Sequence, residues 1–326
     1  MNAPHIANAT AIAPAASNAP LYVRVDAVRQ ESDTVRSYTL VALDGSELPA
    51  FTAGAHIGIV MPGRITRYYS IASAPQQRSH WRIGVAREDA GRGGSLLVHR
   101  KLSVGKMLKL HRPRNLFPLA PQGRHLLVAG GIGITPMLSM AADLLHRGQA
   151  FELVVCVRDE ASLPFADEVA ALARRAPVRV LHTRDSRPDF AALLAEPGDD
   201  RHVYICGSDP FMRAVQQAAT HWPADRVHLE SFTPVTALDG DAAFVVEARA
   251  SGKTFNVAPD QTILQALREN GVEIDSVCEN GTCGTCKVRW LEGKPEHRDH
   301  VLGASDRHTH LMACVSRSRE FLALDL

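Results

Sequence analysis

The chain has 326 residues with 36 Lys and Arg against 35 Asp and Glu, a formal net charge of +1 at neutral pH. That length admits two or three domains, and so even a balance supplies no broad basic field of the kind nucleic acid recognition needs. No apolar run approaches a membrane span, and six cysteines in a chain of this size suit a reducing, cytoplasmic compartment better than a disulfide scaffold. Met1 to Pro20 is rich in Ala, Asn and Pro without a basic n-region, so it reads as a disordered leader rather than a signal peptide.

From Leu21 to Pro121, short alternating runs at Leu21 to Val25, Val35 to Val41, His56 to Met61, Arg67 to Ile71, Trp81 to Ala86 and Met107 to His111 are separated by turn signals such as Asp44-Gly45 and Pro62-Gly63. This pattern predicts an antiparallel barrel or sandwich. Within it, Arg67-Tyr68-Tyr69-Ser70 has the form R-x-Y-S on a strand, where residues two apart share a face. Arg67 can fork onto a flavin mononucleotide phosphate and Tyr69 can lie against the ring system, which leaves Ser70 to bond near the flavin N5. Gly93-Gly94-Ser95 opens a short helix and exposes amides to the same phosphate. Each motif alone is weak, since a strand arginine is usually solvated and a Gly-Gly-Ser is usually a turn.

From Gln122 to Thr233 apolar strands alternate with helices: Leu126 to Ala129, Pro136 to Arg147, Phe151 to Val157, Phe165 to Arg175, Val178 to His182, Val203 to Cys206, Pro210 to Thr220 and Val227 to Glu230. Such interleaving predicts a doubly wound parallel α/β domain. Its first strand runs into Gly130-Gly131-Ile132-Gly133-Ile134-Thr135-Pro136, a glycine turn where a pyrophosphate can approach bare amides, with Pro136 expected at the first helical position. The fourth strand ends in Cys206-Gly207-Ser208-Asp209-Pro210 at the carboxyl edge, where open α/β sheets bind ligands, and Asp209 is expected to cap the next helix. Arg158 follows the second strand, where it can meet a 2'-phosphate, yet Asp159 and Glu160 beside it oppose one.

Residues 234–242, with Pro234 and Asp239-Gly240, read as a linker. From Ala243 to Leu326, Phe244 to Ala250 and Thr254 to Val257 form a hairpin, Thr262 to Asn270 a helix ended by Gly271, and Lys287 to Leu291 a strand. Between helix and strand, Cys278, Cys283 and Cys286 have the spacing C-x4-C-x2-C, with Cys314 downstream. That is the thiolate pattern of a plant-type 2Fe-2S ferredoxin. A zinc site usually shows two C-x2-C knuckles and here there is one, while a disulfide framework suits small secreted chains. Hairpin, helix, cluster loop and closing strand predict a β-grasp module. The 15 histidines are scattered and read as surface residues.

Taken together, Arg67-Tyr68-Tyr69-Ser70, Gly93-Gly94-Ser95, Pro113 to Leu119, the G-G-x-G-x-T-P turn, the C-G-x-x-P segment and Met312 to Arg317 resemble the phthalate dioxygenase reductase and vanillate demethylase reductase group. These Rieske-oxygenase reductases place their ferredoxin domain last, and the likeness covers nearly all the chain beyond the leader. It implies FMN rather than FAD, NADH rather than NADPH, Cys206 beside the nicotinamide and Phe232 near the flavin ring. It further implies that NADH passes hydride to FMN, the 2Fe-2S cluster takes electrons singly, and a terminal Rieske oxygenase receives them. We expect a monomer that binds neither nucleic acid nor membrane. The rivals are a reductase for another acceptor, such as a haem monooxygenase, and a redox sensor built on flavin and cluster.

Overall fold

A computed structural model describes residues 21–61, 66–89, 94–232, 240–276, 279, 281, 284–299 and 301–326. The leader at 1–20, the Pro62-Gly63 turn, most of the linker at 234–242, Gly93, Cys278 and Cys283 lie outside the described residues.

The first sheet contains β1 (Leu21–Gln30), β2 (Val35–Ala42), β3 (Ala55–Val60), β4 (Thr66–Ser70), β5 (Trp81–Ala86) and β6 (Met107–Asn115) in the order β4-β3-β6-β1-β2-β5. Every neighbouring pair is antiparallel. A bridge between Ile71 and Ile83 joins the two outer ends, so the sheet closes as a barrel. Alternation decides which residues fill it: Val23 and Val25 point inward while Tyr22 and Arg24 face water. Trp81, Tyr38, Leu40, Ile57, Ile59 and Ile83 complete the interior. Helix α1 (Gly94–Lys101) follows β5 and buries Val98 in the same core.

The second sheet is parallel, with β7 (Arg124–Gly130), β8 (Phe151–Val157), β9 (Val178–His182), β10 (Arg201–Gly207) and β11 (Val227–Ser231) in the order β11-β10-β7-β8-β9. Helices α2 (Ile134–Arg147) and α3 (Ala166–Ala173) pack on one face, α4 (Phe190–Leu193) and α5 (Asp209–Ala218) on the other. Because β7 is covered on both sides, Leu127 and Ala129 enter one core while Leu126 and Val128 enter the other. Its sequence therefore reads as an unbroken apolar run. The strand order reverses between β7 and β10, the position beyond whose carboxyl ends open α/β sheets bind their ligands.

The third sheet joins β12 (Phe244–Ala248), β13 (Lys253–Val257), β14 (Lys287–Gly293), β15 (His310–Met312) and β16 (Phe321–Leu324) in the order β13-β12-β16-β14-β15. Helix α6 (Ile263–Glu269) buries Ile263, Leu264, Ala266 and Leu267 against it. Thr262 and Gln265 form a reciprocal capping box at its start, an arrangement that contributes about 1 kcal/mol. A short helix, α7 (Ala304–Arg307), precedes β15.

Barrel and parallel sheet share a core, in which Ala53, Ala72 and Phe117 join Leu127, Met137 and Met140. At its edge the Arg82 guanidinium lies 4.7 Å over the Phe165 ring and reaches Glu168 and, at 2.6 Å, the buried Glu31. Phe165 holds φ +58°, a left-handed conformation rare for a bulky residue. Both neighbours, Arg82 and Gly84, press on that ring.

Several histidines depart from the expected surface positions. His125 is 2% exposed, and His125, His202, His228 and Tyr204 stack along one face of β7, β10 and β11. Burial, then repulsion from His202, pushes His125 and His228 from the usual 6.5 down to about 4. The unfolded chain therefore binds more protons below pH 6.5, so stability is full above that pH and is lost as pH falls through about 4. The loss has an upper bound of about 1.4 kcal/mol per pH unit per histidine, reduced by residual solvent screening. Melting temperatures measured between pH 7 and pH 4 should fall steeply, and His125→Leu should flatten the slope. A melting temperature independent of pH across that range would contradict this burial.

Candidate functional site

Strand β4 carries the R-x-Y-S residues, and its register against β3 sorts them. Arg67 and Tyr69 stand opposite Ile59 and Ile57, and Tyr68 stands opposite Gly58. Tyr69 packs on the barrel core, where burial raises its phenol well above the usual value. Tyr68 lies on the other face, edge-on to His56 at 5.4 Å. Arg67 extends to the start of α1: a Cβ added at Gly94 would collide with its side chain. The first turn of α1 holds no acidic residue, and Ser95 Oγ accepts a bond from the Glu88 amide at 3.0 Å. A guanidinium held over a helix start that carries no acid, with glycine at the point of approach, fits a phosphate monoester such as that of FMN.

On the parallel sheet, β7 passes into a tight turn at Gly131–Gly133 and then α2. Gly131 has φ +54° and open space where a Cβ would be, while a Cβ at Gly133 would strike the carbonyl of Cys206. Gly130 and Gly207 both back onto the Phe211 ring. Loop and strand β10 are thus as close as backbones allow, and the α2 N-terminus carries neither a side-chain cap nor an acid. Pro136 proves to be the third helical residue, after Ile134 and Thr135. The expected first position is off by two, at no cost, since the first four helical amides lack intrahelical partners. Thr135 is buried and donates to the Ile132 carbonyl at 3.1 Å.

The two halves meet at a buried hydrogen bond. Ser70 Oγ donates to Glu230 Oε2 at 2.9 Å, and Glu230 pairs across the sheet with Cys206. Ser70, Glu230 and Cys206 are 2%, 9% and 0% exposed. Burial, then the Glu230 charge, pushes the Cys206 thiol well up, so it stays protonated. The expected cap at α5 is corrected: Ser208 occupies the N-cap position and Asp209 is the first helical residue. There Asp209 accepts a 3.5 Å contact from Ser231 Oγ and favours the positive end of the helix. Phe232 packs against the core shared by barrel and sheet.

Arg158 stands apart from this junction. Its guanidinium is 66% exposed and leans on Asp159 at 3.4 Å, which Arg184 also holds at 2.5 Å. Glu230 was not singled out from sequence, where it reads as the last residue of a strand. The available signal was its position, an acid at the carboxyl end of a parallel strand next to the point of reversal.

In the third sheet, Cys286 and Cys314 are 2% and 1% exposed within one core, and the Ala313 amide donates to the Cys286 carbonyl at 3.1 Å. Around them Glu279, Gly281 and Gly284 all have positive φ. A loop of left-handed turns can curl its amides toward bound sulfur, and two buried thiols beside it fit an iron-sulfur cluster.

A model of the 2Fe-2S iron-sulfur cluster binding domain matches residues 246–319, and one of the oxidoreductase NAD-binding domain matches residues 127–217. The chain is 37% identical to phthalate dioxygenase reductase of Burkholderia cepacia, over 89% of this chain and 92% of that protein. It is 41% identical to the heme-dependent oxidative N-demethylase beta subunit of Ectopseudomonas mendocina, over 91% and 96%. A solved structure of phthalate dioxygenase reductase, described as modular for electron transfer from pyridine nucleotides to 2Fe-2S, superposes with a TM-score of 0.77. That match has 36% identity and covers 94% of this chain and 98% of the other. Among the described residues no helix is long and apolar enough to cross a membrane.

Proposed function

The chain belongs to the phthalate dioxygenase reductase family, and on that footing we propose that it is the reductase component of a Rieske-type oxygenase, carrying electrons from NADH through FMN and a 2Fe-2S cluster to the oxygenase protein. The observation that carries the reading is the 2.9 Å bond from Ser70 to Glu230 beside Cys206, which brings the R-x-Y-S strand to the edge of the glycine turn. When bound, FMN supplies the change from a two-electron hydride to single electrons, and the cluster supplies a one-electron carrier.

The residues divide that task. Arg67 and the amides at Gly93, Gly94 and Ser95 hold the FMN phosphate, and Tyr68 and Tyr69 border its ring. Gly130, Gly131, Gly133, Thr135 and Pro136 form the turn that receives the dinucleotide pyrophosphate, with Gly207 and Asp209 at the adjoining strand end. Arg158 borders the ribose, and Phe232 lies near the flavin ring. Cys206, a neutral thiol buried at the end of β10, would border the nicotinamide, and Ser70, whose one proton goes to Glu230, would turn its hydroxyl oxygen toward the atom that accepts hydride. Glu230 accepts the Ser70 proton in a hydrogen bond and so orients that hydroxyl. Cys278, Cys283, Cys286 and Cys314 ligate the cluster.

Glu230→Gln keeps the shape of the side chain and removes its charge. Stopped-flow reduction of the flavin by NADH should slow by about tenfold, the factor that weakening a charge-assisted hydrogen bond to a neutral one corresponds to, with little change in NADH affinity. An unchanged rate would exclude Glu230 from the step.

One observation favours a second acceptor class, since the 41% identical relative is named as a subunit of a heme-dependent demethylase. Anaerobic titration with NADH, followed by trial reduction of a Rieske oxygenase and of a haem oxygenase, tests both. Flavin should bleach and the cluster signal should appear with NADH alone, and electrons should then reach the Rieske protein. Protein isolated without iron or flavin would refute the scheme.

A further inference from the structure

Between β14 and α7 the chain passes through His297-Arg298-Asp299, where sequence suggests only an exposed histidine. The three side chains are instead 14%, 9% and 0% exposed. Asp299 Oδ2 accepts bonds from the amides of Leu302 at 2.8 Å and Val301 at 3.3 Å, which bends the chain back on itself. Its Oδ1 is buried without a hydrogen-bond donor among the described residues and stands 3.7 Å from His297 Nδ1. Arg307 Nη2 donates to the Asp299 carbonyl at 3.0 Å and lies 3.7 Å from Oδ2. Next in sequence, Arg298 forks onto Asp241 at 2.9 and 2.6 Å, fixing the segment that arrives from the parallel sheet.

The bend at Asp299 backs the cysteine loop. A Cβ on Gly281 would stand 3.1 Å from Asp299 Cα and 2.8 Å from the Val315 side chain, and one on Gly284 would stand 3.7 Å from the Val301 side chain. The two glycines are therefore packed onto the bend, and at Gly281 also against the residue that follows Cys314. Whatever shapes the bend shapes the loop.

We propose that Asp299 is a positioning residue for the 2Fe-2S cluster: through the Val301 and Leu302 amides it fixes the bend beneath the cysteine loop, and its carboxylate adds negative charge that an incoming electron must meet. This rests on reading the four cysteines as cluster ligands. A buried carboxylate with an open oxygen acts through a low dielectric, so its charge is felt beyond contact distance. Arg307 offsets it only in part, being 40% exposed. An amide in its place keeps one acceptor for the backbone and removes the charge.

The test uses the full chain purified without oxygen, with Asp299→Ala and Asp299→Asn beside the wild type. Iron release to a chelator should be at least about tenfold faster in the alanine variant, the factor that losing charge-assisted hydrogen bonds of this kind corresponds to. The asparagine variant should restore slow release, yet its cluster should titrate at a more positive potential by electron paramagnetic resonance. Wild-type release from the alanine variant, or an unshifted potential in the asparagine variant, overturns the proposal. Should the alanine variant fail to fold, the asparagine potential alone decides. Wild-type protein without iron would remove the ligand reading and this inference with it, whereas a loaded wild type with unaffected variants removes the inference alone.

Discussion

Cys286→Ser should yield a protein that still reduces flavin with NADH but has lost its iron-sulfur absorbance and its ability to pass electrons onward. Cys286 sits 2% exposed at the head of β14, with its carbonyl tied to the Ala313 amide next to Cys314, so its backbone is fixed from two sides. Serine has a shorter bond to a harder, far less acidic ligand atom, and that fixed backbone cannot move in to compensate. Since even outer-shell changes around metals cost about 10–100-fold, losing a ligand should lower acceptor reduction by more than about 100-fold. The barrel and the parallel sheet form their cores without this residue, so NADH-driven flavin bleaching should remain near the wild-type rate. Iron per chain, the visible spectrum and stopped-flow flavin reduction check the three parts. A serine variant that keeps its iron would sink the ligand assignment.

What could be read in advance follows from how local the cause is. The barrel strands and the β7-turn-α2 unit were legible because alternation, doubly buried runs and glycine turns are properties of neighbouring residues. Strands β15 and β16 were not, because three or four residues have no period, and β16 exists because Phe321–Leu324 is held between β12, parallel to it, and β14, antiparallel to it. The helix starts at Ile134 and Asp209 were misplaced by one or two residues, the usual uncertainty of ends where amides are unpaired. At the site, Arg67 and Gly94 were legible as a pair because each motif carries its own anion logic. Glu230 and Asp299 were not, since a carboxyl group becomes functional only through what the fold sets against it, Ser70 in one case and the cysteine loop in the other. His125 was missed for a like reason: nothing in its sequence neighbours shows that His202 and Tyr204 of β10 will stack beside it.

Arg67→Ala should produce a protein that folds yet carries little flavin. Arg67 lies on β4 over Gly94 and, among the described residues, makes one hydrogen bond, to the Thr66 carbonyl at 3.1 Å, so truncation removes little packing. Each charge-assisted bond to a phosphate is worth about 1.5–3 kcal/mol, so losing a forked contact should weaken FMN binding by at least about tenfold and up to several hundredfold. Arg67→Lys should restore the charge but not the fork and should fall between the two. Gly94→Val gives an independent approach to the same point, because its Cβ would come within 2.4 Å of Arg67 Nε, pushing the guanidinium aside and covering the start of the helix while keeping the charge in the chain. Both variants should lose flavin on gel filtration and regain NADH oxidation when excess FMN is added, more readily at low salt, where the phosphate attraction is least screened. The cluster should be retained in each, since α1 and β4 share no core with the third sheet. Full flavin occupancy in Arg67→Ala would place the phosphate elsewhere and detach the R-x-Y-S strand from the electron path.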